Sequence, residues 1–353
     1  GLTPKGDQKD IILNSADTVK AINPLYISGS TDSWITELVW DRLMRVGPDG
    51  LPQPWAAETV EWVDDTTLDV TLRSDLKFHD GKSVTPEDVV FSFEAPLGDE
   101  APMYKPFVTN IESVTKTGDN TVRFKLKSAA ASFLISSLAK VNIVPAHVWE
   151  PIVDDLASKP ENAEARQEDH PVGSGPFKFV SWRSNEEVVL EANTDHFSAP
   201  KAQRWILRIV PNVEAALGML KNGDLNFLSE YNGDPKVLDA LSTENPDVSV
   251  VAAVDLGFRY VGLNDRLPPF DDPAFRRALS AATNRPLIAA AAYNGYAVPA
   301  LSTISPVLTF WSAPGLKSEN EGLEAAKKIL EDAGYTIEGG RLHYPEGKSG
   351  LTK

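Results

Sequence analysis

The chain has 353 residues, of which 42% are apolar, and its 50 acidic against 34 basic side chains give a formal net charge of −16. A protein this acidic repels phosphate backbones, which argues against nucleic-acid binding, and the absence of cysteine excludes thiol catalysis, thiolate zinc sites and disulfides. The length is enough for two to three domains of about 150 residues, and no apolar run approaches the roughly 18 uncharged positions of a membrane-spanning helix.

The N-terminal part of the chain predicts strands, a helix and a hairpin. In order, these are a strand at Ile11–Ser15, strand and loop over Ala21–Ser28, a helix from Thr31 or Asp32 to Met44, and a hairpin of Thr59–Val63 with Leu68–Leu72. Apolar Leu68, Val70 and Leu72 alternate with polar residues, which is the period of a half-buried strand.

A turn and a capped helix follow this hairpin. Asp80-Gly81 is a turn dipeptide in which glycine is free to take positive φ. Thr85 places a hydroxyl at the helix N-cap, and Pro86 stands at the first helical position, where its missing N–H costs nothing. The residues alone therefore predict a strand, a turn and a helix here, and they indicate no catalytic or binding site.

The remainder mixes strands and helices without a steady alternation, so the fold class is mixed α/β (α+β). The predicted strands are Ile111–Lys116, Thr121–Leu126, Phe177–Trp182, Glu187–Glu191, Trp205–Val210, Leu225–Leu228, Val248–Val254 and Tyr260–Asn264. The predicted helices are Ser132–Leu138, Val213–Leu220, one opening at Pro273 with Asp271 or Asp272 as its cap, Pro286–Tyr293, and Glu321–Ala333 with a Glu324–Lys328 pair. Pro151–Pro171 is polar and is interpreted as a surface excursion and a domain boundary.

Motifs for catalysis or metal binding do not emerge. The five histidines are far apart and lack H-x-x-x-H spacing, so they are interpreted as structural. Ser174 lies between Gly173 and Gly175 without the spacing of a nucleophile elbow, and a turn is the better explanation. Two carboxylate pairs, Asp64-Asp65 and Asp271-Asp272, are explained as a hairpin turn and a helix cap. The hypothesis is therefore a non-enzyme without metal or cofactor.

Several phrases of this chain, in this order, are distinctive. They are Leu72–Ser92 (LRSDLKFHDGKSVTPEDVVFS), Val172–Phe177 (VGSGPF), Pro268–Leu279 (PPFDDPAFRRAL) and Ala325–Tyr335 (AAKKILEDAGY). Together they resemble the family 5 extracellular solute-binding proteins, the dipeptide, oligopeptide and nickel receptors of ABC importers.

This resemblance implies a type II periplasmic-binding-protein fold of two lobes with an inserted extra domain. Lobe I would comprise residues 1–32 and 172–264, the inserted domain residues 33–171, and the first part of lobe II residues 265–353. Family members continue well past the A-G-[WY] phrase, so we expect the second lobe to be incomplete here and the intact receptor to have more polypeptide.

The function implied by the resemblance is capture of a small solute, a short peptide, between two closing lobes and delivery to the transmembrane subunits of an ABC permease. Such a receptor would be a monomer in the periplasm or outside the cell. Gly1–Lys5 lacks the basic and apolar regions of a signal peptide, so the residues alone leave open a cytosolic protein and a processed exported one. The ligand stays open among dipeptides, longer peptides, opines, oligosaccharides and metal chelates. The alternative function is a hydrolase acting on oligosaccharide or peptide in the same cleft.

Aromatic residues are the candidates for ligand contact, since flat, rigid apolar surface suits organic ligands. Trp62 and Trp182 alternate with core strand positions and are predicted to pack. Tyr26 and Ser28 lie in a loop that leads into a helix, and Tyr231 and Asn232 lie in a strand-end loop; in relatives the corresponding segments face the cleft. Trp311, in the proline-flanked loop Ser305–Pro314, completes the candidates. Surface or interdomain packing is the alternative for them.

Overall fold

The computed structural model describes residues 9–25, 29–98, 103–158, 171–318 and 321–348. The chain divides into an N-terminal unit of Gly1–Asp234 and Thr243–Val248, and a C-terminal unit of Pro235–Ser242 and Ser249–Lys353. The strands are β1 (Asp10–Ser15), β2 (Met44–Val46), β3 (Pro52–Pro54), β4 (Ala57–Asp64), β5 (Thr67–Leu72), β6 (Ile111–Lys116), β7 (Thr121–Leu126), β8 (Phe177–Arg183), β9 (Glu187–Ala192), β10 (Arg204–Ile209), β11 (Thr336–Glu338) and β12 (Arg341–His343). The helices are α1 (Ser30–Val39), α2 (Pro86–Glu94), α3 (Ala146–Ser158), α4 (Val213–Asn222), α5 (Pro235–Glu244), α6 (Pro273–Ala282), α7 (Arg285–Ala292) and α8 (Leu323–Asp332), with short helical turns at Ala95–Leu97, Lys105–Phe107 and Leu134–Leu138.

The first sheet of the N-terminal unit has the order β1-β10-β9-β8. β1 pairs in parallel with β10, from Asp10 opposite Arg204 to Ser15 opposite Ile209, and the remaining pairs are antiparallel. β1, β10 and β8 therefore point the same way, and their carboxyl ends lie at one edge of the sheet.

Both faces of this sheet are covered by apolar side chains. Leu13 and Leu207 lie in a cluster with residues of α1 and α3, such as Ile35 and Trp149. The neighbouring positions of β1 and β10 face a smaller cluster that includes Ala216 of α4. Burial on both faces explains why Ile12 and Leu13, which are consecutive in β1, are both apolar and buried.

The second sheet is antiparallel, in the order β4-β5-β7-β6, and packs on α2. Leu68, Val70 and Leu72 of β5 are at most 1% exposed in its core. Helix α2 begins with a capping box, in which the Thr85 amide donates to the Asp88 carboxylate (2.9 Å) and the Asp88 amide donates to the Thr85 hydroxyl (3.4 Å).

In the C-terminal unit, α6 packs against α8 through small side chains. Ala278, Ala281 and Ala326 are buried at this contact, which lets the two helix backbones approach closely. Asp272 caps α6 by accepting from the Ala274 amide (3.0 Å). The same carboxylate accepts from the Tyr335 hydroxyl (2.8 Å) and the Lys348 ammonium (3.0 Å), so one aspartate joins the start of α6 to the region after α8.

Most locally encoded elements are confirmed. The hairpins β4–β5, β6–β7 and β8–β9, the capped helix α2, helix α4 and the Asp272-capped α6 agree with the sequence prediction within one or two residues. The mixed α/β class is likewise confirmed. The boundaries of the lobes and the inserted domain stay a prediction.

Two helices differ from the prediction. α1 ends at Val39 rather than Met44, because Trp40 is extended (φ −112°, ψ 132°) and Met44 begins β2. The region predicted as a surface excursion begins inside α3, which continues through Pro151 because Trp149 and Leu156 on either side of it are buried. Residues 159–170 of that region lie outside the described part.

Three predicted strands are wrong. Leu225–Leu228 has only an isolated bridge from Phe227 to Leu13, and neither Val248–Val254 nor Tyr260–Asn264 forms a strand. Val251 and Val261 are 87% and 86% exposed. Alternating apolar residues favour a strand, but without a ladder partner they do not make one.

Two of three side-chain predictions also change. Glu324 pairs with Lys327 (3.3 Å) rather than Lys328, which pairs with Asp332 (3.4 Å). Trp182 packs on the core as predicted. Trp62 does so only in part, because it stays 38% exposed on edge strand β4.

Candidate functional site

The carboxyl edge of the first sheet brings together several chain segments. β1 ends at Ser15 and β10 at Ile209. Two helices begin after these ends, α1 at Ser30 and α4 at Val213, the latter capped by Asn212. In open α/β sheets, ligands bind beyond the carboxyl ends of the strands. This edge is therefore the candidate site of the N-terminal unit.

A segment after α4 runs along the open side of β1. The amides of Asn226 and Phe227 both donate to the Ile12 carbonyl (3.0 Å each). The Asn226 side chain accepts from the Ile12 amide (2.8 Å) and donates to the Asp10 carbonyl (2.7 Å). A side-chain amide thus replaces most of a backbone ladder, which is why this segment is not a strand.

Asn14 and Glu230 fasten the same segment at the carboxyl end of β1. The Asn14 amide group accepts from the Ser229 amide (2.9 Å) and donates to the Glu230 carbonyl (3.1 Å). The Ser229 hydroxyl also donates to the Asn14 carbonyl. The Glu230 carboxylate accepts from the Ala16 amide (2.8 Å). These bonds place Tyr231, the next residue, at the carboxyl edge.

Tyr231 and Asn232 are therefore where the sequence predicted a strand-end loop, although the preceding strand is absent. Tyr231 is half-buried and Asn232 is exposed. The Tyr231 hydroxyl donates to the Asp234 carbonyl (3.0 Å). Burial raises the pKa of Tyr231, and the negative charges of Glu214 and Asp234 raise the pKa further, so the phenol stays neutral.

The loop between β1 and α1 is tied to the helix start. The Ser15 and Thr31 hydroxyls are 3.0 Å apart, and the buried Asp32 carboxylate accepts from the Lys20 amide (2.9 Å). Asp32 lies in the first turn of α1, where a negative charge is favourable. These contacts hold residues 15–20 beside the N-terminus of α1.

The structure does not place the remaining candidates at the carboxyl edge of the first sheet. Tyr26 and Ser28 lie outside the described residues. Trp311 belongs to the C-terminal unit, where it is 40% exposed and packs edge-to-face on Phe310 at 4.9 Å. Asn14 was not among the predicted site residues, although a polar residue directly after the apolar residues of β1 was a usable signal.

A buried polar cluster in the N-terminal unit was also missed. The Asp41 carboxylate accepts hydrogen bonds from the Trp55 indole (2.9 Å) and the Ser174 hydroxyl (3.0 Å), and His196 Nε2 lies 2.9 Å from it. The side chains of Asp41 and His196 are 0% and 2% exposed. A carboxylate withdrawn from water in this way needs several donors, and this one has them.

His79, of the motif after β5, binds the segment Gly173–Gly175 that contains Ser174, here called the glycine-rich segment. Its Nδ1 accepts from the Gly173 amide (3.3 Å), so the proton lies on Nε2, which donates to the Gly175 carbonyl (3.0 Å). Burial above all, together with the nearby Lys178 charge, lowers the pKa of His79 to about 4, although the bond to Gly175 acts in the opposite direction. His79 is therefore a neutral, structural histidine.

These contacts provide no catalytic nucleophile. The Ser174 hydroxyl donates to Asp41, and among its contacts in the described structure no histidine nitrogen accepts from it.

A cavity of about 120 Å³ beside this cluster, lined in part by Phe78, Lys178 and Phe197, is smaller than the roughly 300–1,000 Å³ of typical ligand pockets. In the ranges that the structure describes, no three metal-binding side chains come together, and no helix is long and apolar enough to cross a membrane.

Comparisons with known proteins agree with this architecture. The chain is 29% identical over 336 residues to the oligopeptide-binding protein AppA of Bacillus subtilis, covering 92% of this chain and 59% of AppA. It is 28% identical over 335 residues to heme-binding protein A of Haemophilus influenzae, covering 88% of this chain and 59% of that protein. The chain thus spans about three fifths of the length of these relatives.

Solved structures share the fold. AppA of Bacillus subtilis in complex with a nonapeptide superposes with a TM-score of 0.73 at 28% identity, covering 96% of this chain and 67% of AppA. The ABC transporter substrate-binding protein CtaP of Listeria monocytogenes superposes with a TM-score of 0.78 at 27% identity, covering 94% of this chain and 66% of CtaP. The model of the bacterial extracellular solute-binding proteins, family 5 (middle region), matches residues 52–352. The chain belongs to the family 5 bacterial extracellular solute-binding proteins.

Proposed function

We propose that this chain is the substrate-binding part of an ABC importer receptor and not an enzyme. It captures a small solute, a short peptide, between two closing lobes for delivery to the transmembrane subunits of a permease. The observation that carries the proposal is the family match over residues 52–352, together with the likeness of 96% of the chain to AppA, which holds a nonapeptide.

Closure works by differential binding. A ligand that contacts both lobes only in the closed arrangement shifts an existing equilibrium toward it. A micromolar dissociation constant corresponds to about 8 kcal/mol in total, part of which must offset closure. No covalent step is needed.

The proposed organisation has lobe I at residues 1–32 and 172–264, an inserted domain at 33–171, and the beginning of lobe II at 265–353. In support, β1 and β8–β10 form one sheet, whereas β4–β7, which lie between them in the chain, form another.

The proposed ligand contacts are Tyr26, Ser28, Tyr231, Asn232 and Trp311. At the carboxyl edge of β1, Tyr231 offers an aromatic ring with a neutral hydroxyl and Asn232 an exposed amide. Trp311 offers a rigid aromatic face in the other unit. Aromatic rings with polar tips suit peptide side chains and backbone alike.

We also propose that the receptor acts as a monomer in the periplasm or outside the cell, without a cofactor. Membership of an extracellular solute-binding family supports the location.

Isothermal titration of the intact receptor tests the function with a defined set of probes: the dipeptide Met-Leu, a nonapeptide, heme and a nickel–histidine complex. We expect one peptide to saturate the chain at one equivalent and to be recovered intact by chromatography. Fragments that accumulate over many turnovers would show an enzyme instead. Absence of heat with both peptides, or saturation by heme or nickel–histidine alone, would contradict a peptide receptor.

A further inference from the structure

Asn14 and Glu230 make side-chain hydrogen bonds to loop backbone that the pairing of the strands does not need. Asn14 is 3% exposed, and both ends of its side-chain amide are paired, with the Ser229 amide and the Glu230 carbonyl. A buried amide is stabilising only when its partners are held in place, so these bonds fix the backbone of residues 229–230.

Glu230 extends this fixation to a second loop. Its carboxylate accepts from the Ala16 amide (2.8 Å), the first residue after β1. That loop continues through Lys20, whose amide is bonded to Asp32 at the start of α1. The two loops at the carboxyl edge are thus joined by Asn14 and Glu230, which we call the edge clamp.

The other end of the segment is anchored independently of the clamp. Asn226 binds the Asp10 carbonyl and the Ile12 amide, and the Asn226 and Phe227 amides bind the Ile12 carbonyl. The segment is therefore already attached to Asp10 and Ile12 of β1 before Ser229, and the clamp adds the contacts of Ser229 and Glu230, the two residues that precede Tyr231.

We propose that Asn14 and Glu230 are positioning residues, which set the loop carrying Tyr231 and Asn232 for ligand contact. This inference rests on the proposed function. If loss of the clamp leaves the loop in its binding arrangement about a tenth of the time, the apparent dissociation constant rises about tenfold.

The test uses four variants. Asn14→Ala and Glu230→Ala remove the clamp from its two sides, so that one remains informative if the other does not fold. Glu230→Gln keeps an oxygen acceptor for the Ala16 amide and should rescue binding to within about threefold of the original chain. Asn226→Ala is the matched control, since it removes two hydrogen bonds at the other end of the segment.

Two readouts separate this inference from the proposed function. In the ligand-free chain, hydrogen exchange of residues 229–232 should accelerate in Asn14→Ala and not in Asn226→Ala. For the peptide that saturates the original chain, affinity should fall about tenfold in Asn14→Ala and Glu230→Ala and stay within twofold in Asn226→Ala.

Unchanged exchange of residues 229–232 in Asn14→Ala would overturn the clamp whether or not a peptide binds. Accelerated exchange without any change in affinity would overturn its positioning role. If no probe binds the original chain, the proposed function fails, and with it the positioning role, whereas exchange still decides whether the clamp exists.

Discussion

Gly173 provides the sharpest prediction about how this chain is held together. A Cβ added at this position would lie 1.9 Å from the Val39 carbonyl oxygen, 2.7 Å from its carbon and 3.0 Å from Trp40 Cδ1. Backbone atoms cannot give way as a flexible side chain can, so Gly173→Ala must move the glycine-rich segment by about 1 Å or more.

The segment is not free to move by that amount. The Gly175 amide donates to the Val39 carbonyl (2.8 Å), the His79 amide donates to the Gly173 carbonyl (2.8 Å), and the Trp40 indole donates to the Val172 carbonyl (3.0 Å). Losing two of these buried bonds costs about 1–3 kcal/mol each, because their partners stay unsatisfied. We expect Gly173→Ala to lower the free energy of unfolding by about 3–5 kcal/mol, a large part of the roughly 5–15 kcal/mol of an ordinary domain.

Gly218 is the matched control. It lies inside α4, and its added Cβ would meet nothing within 4 Å. Gly218→Ala should therefore raise the free energy of unfolding by about 0.5–1 kcal/mol through helix propensity. Urea unfolding followed by tryptophan fluorescence measures both variants. A free energy of unfolding of Gly173→Ala within about 1 kcal/mol of that of the original chain would contradict the predicted clash.

Three further predictions concern acid, a helix cap and the tryptophan candidate. The pKa of His79 is about 4 in the folded chain against 6.5 ordinarily. The contribution of neutral His79 to the free energy of unfolding is therefore complete above pH 6.5, and about 3 kcal/mol is lost as the pH falls toward 4. In urea unfolding across this pH range, His79→Gln should remove that part of the pH dependence, and an unchanged dependence of stability on pH would contradict the prediction. Thr85→Ala should lower the free energy of unfolding by about 1 kcal/mol through loss of the α2 capping box, and a thermal scan showing no change would count against the cap. Trp311→Ala should weaken binding of the saturating peptide about fivefold or more in titration. Trp62→Ala, which removes a similarly exposed tryptophan (38% against 40%), should leave the affinity unchanged. Equal effects of the two variants would show that Trp311 is not a ligand contact.

The elements that could be predicted from the sequence are those determined by neighbouring residues. The Thr85–Asp88 capping box and the Asp272 cap each depend on residues two or three positions apart. The hairpins depend on alternating residues on either side of a short turn. Local patterns of this kind are visible without knowledge of the rest of the fold.

The Asp41 cluster could not be predicted in this way. Ser174 and His196 are 133 and 155 positions from Asp41 in the sequence, so no local pattern links them. The error at Leu225–Leu228 has a related cause, since the partner that completes the edge of β1 there is the side chain of Asn226 and not a backbone ladder.

The geometry of the candidate site could be predicted only in part for the same reason. Tyr231 and Asn232 were singled out as a loop at a strand end, and they do lie at the carboxyl edge of β1. The residues just before them, Ser229 and Glu230, bond to Asn14, which lies more than 200 positions earlier in the chain.

The most direct test of solute binding is a crystal structure of the intact receptor with the peptide that binds most tightly in the titration. We expect intact peptide in density against Tyr231 and Asn232, beyond the carboxyl end of β1. Peptide density confined to the cavity beside His79 and Phe197, or a cleaved peptide at either place, would contradict it.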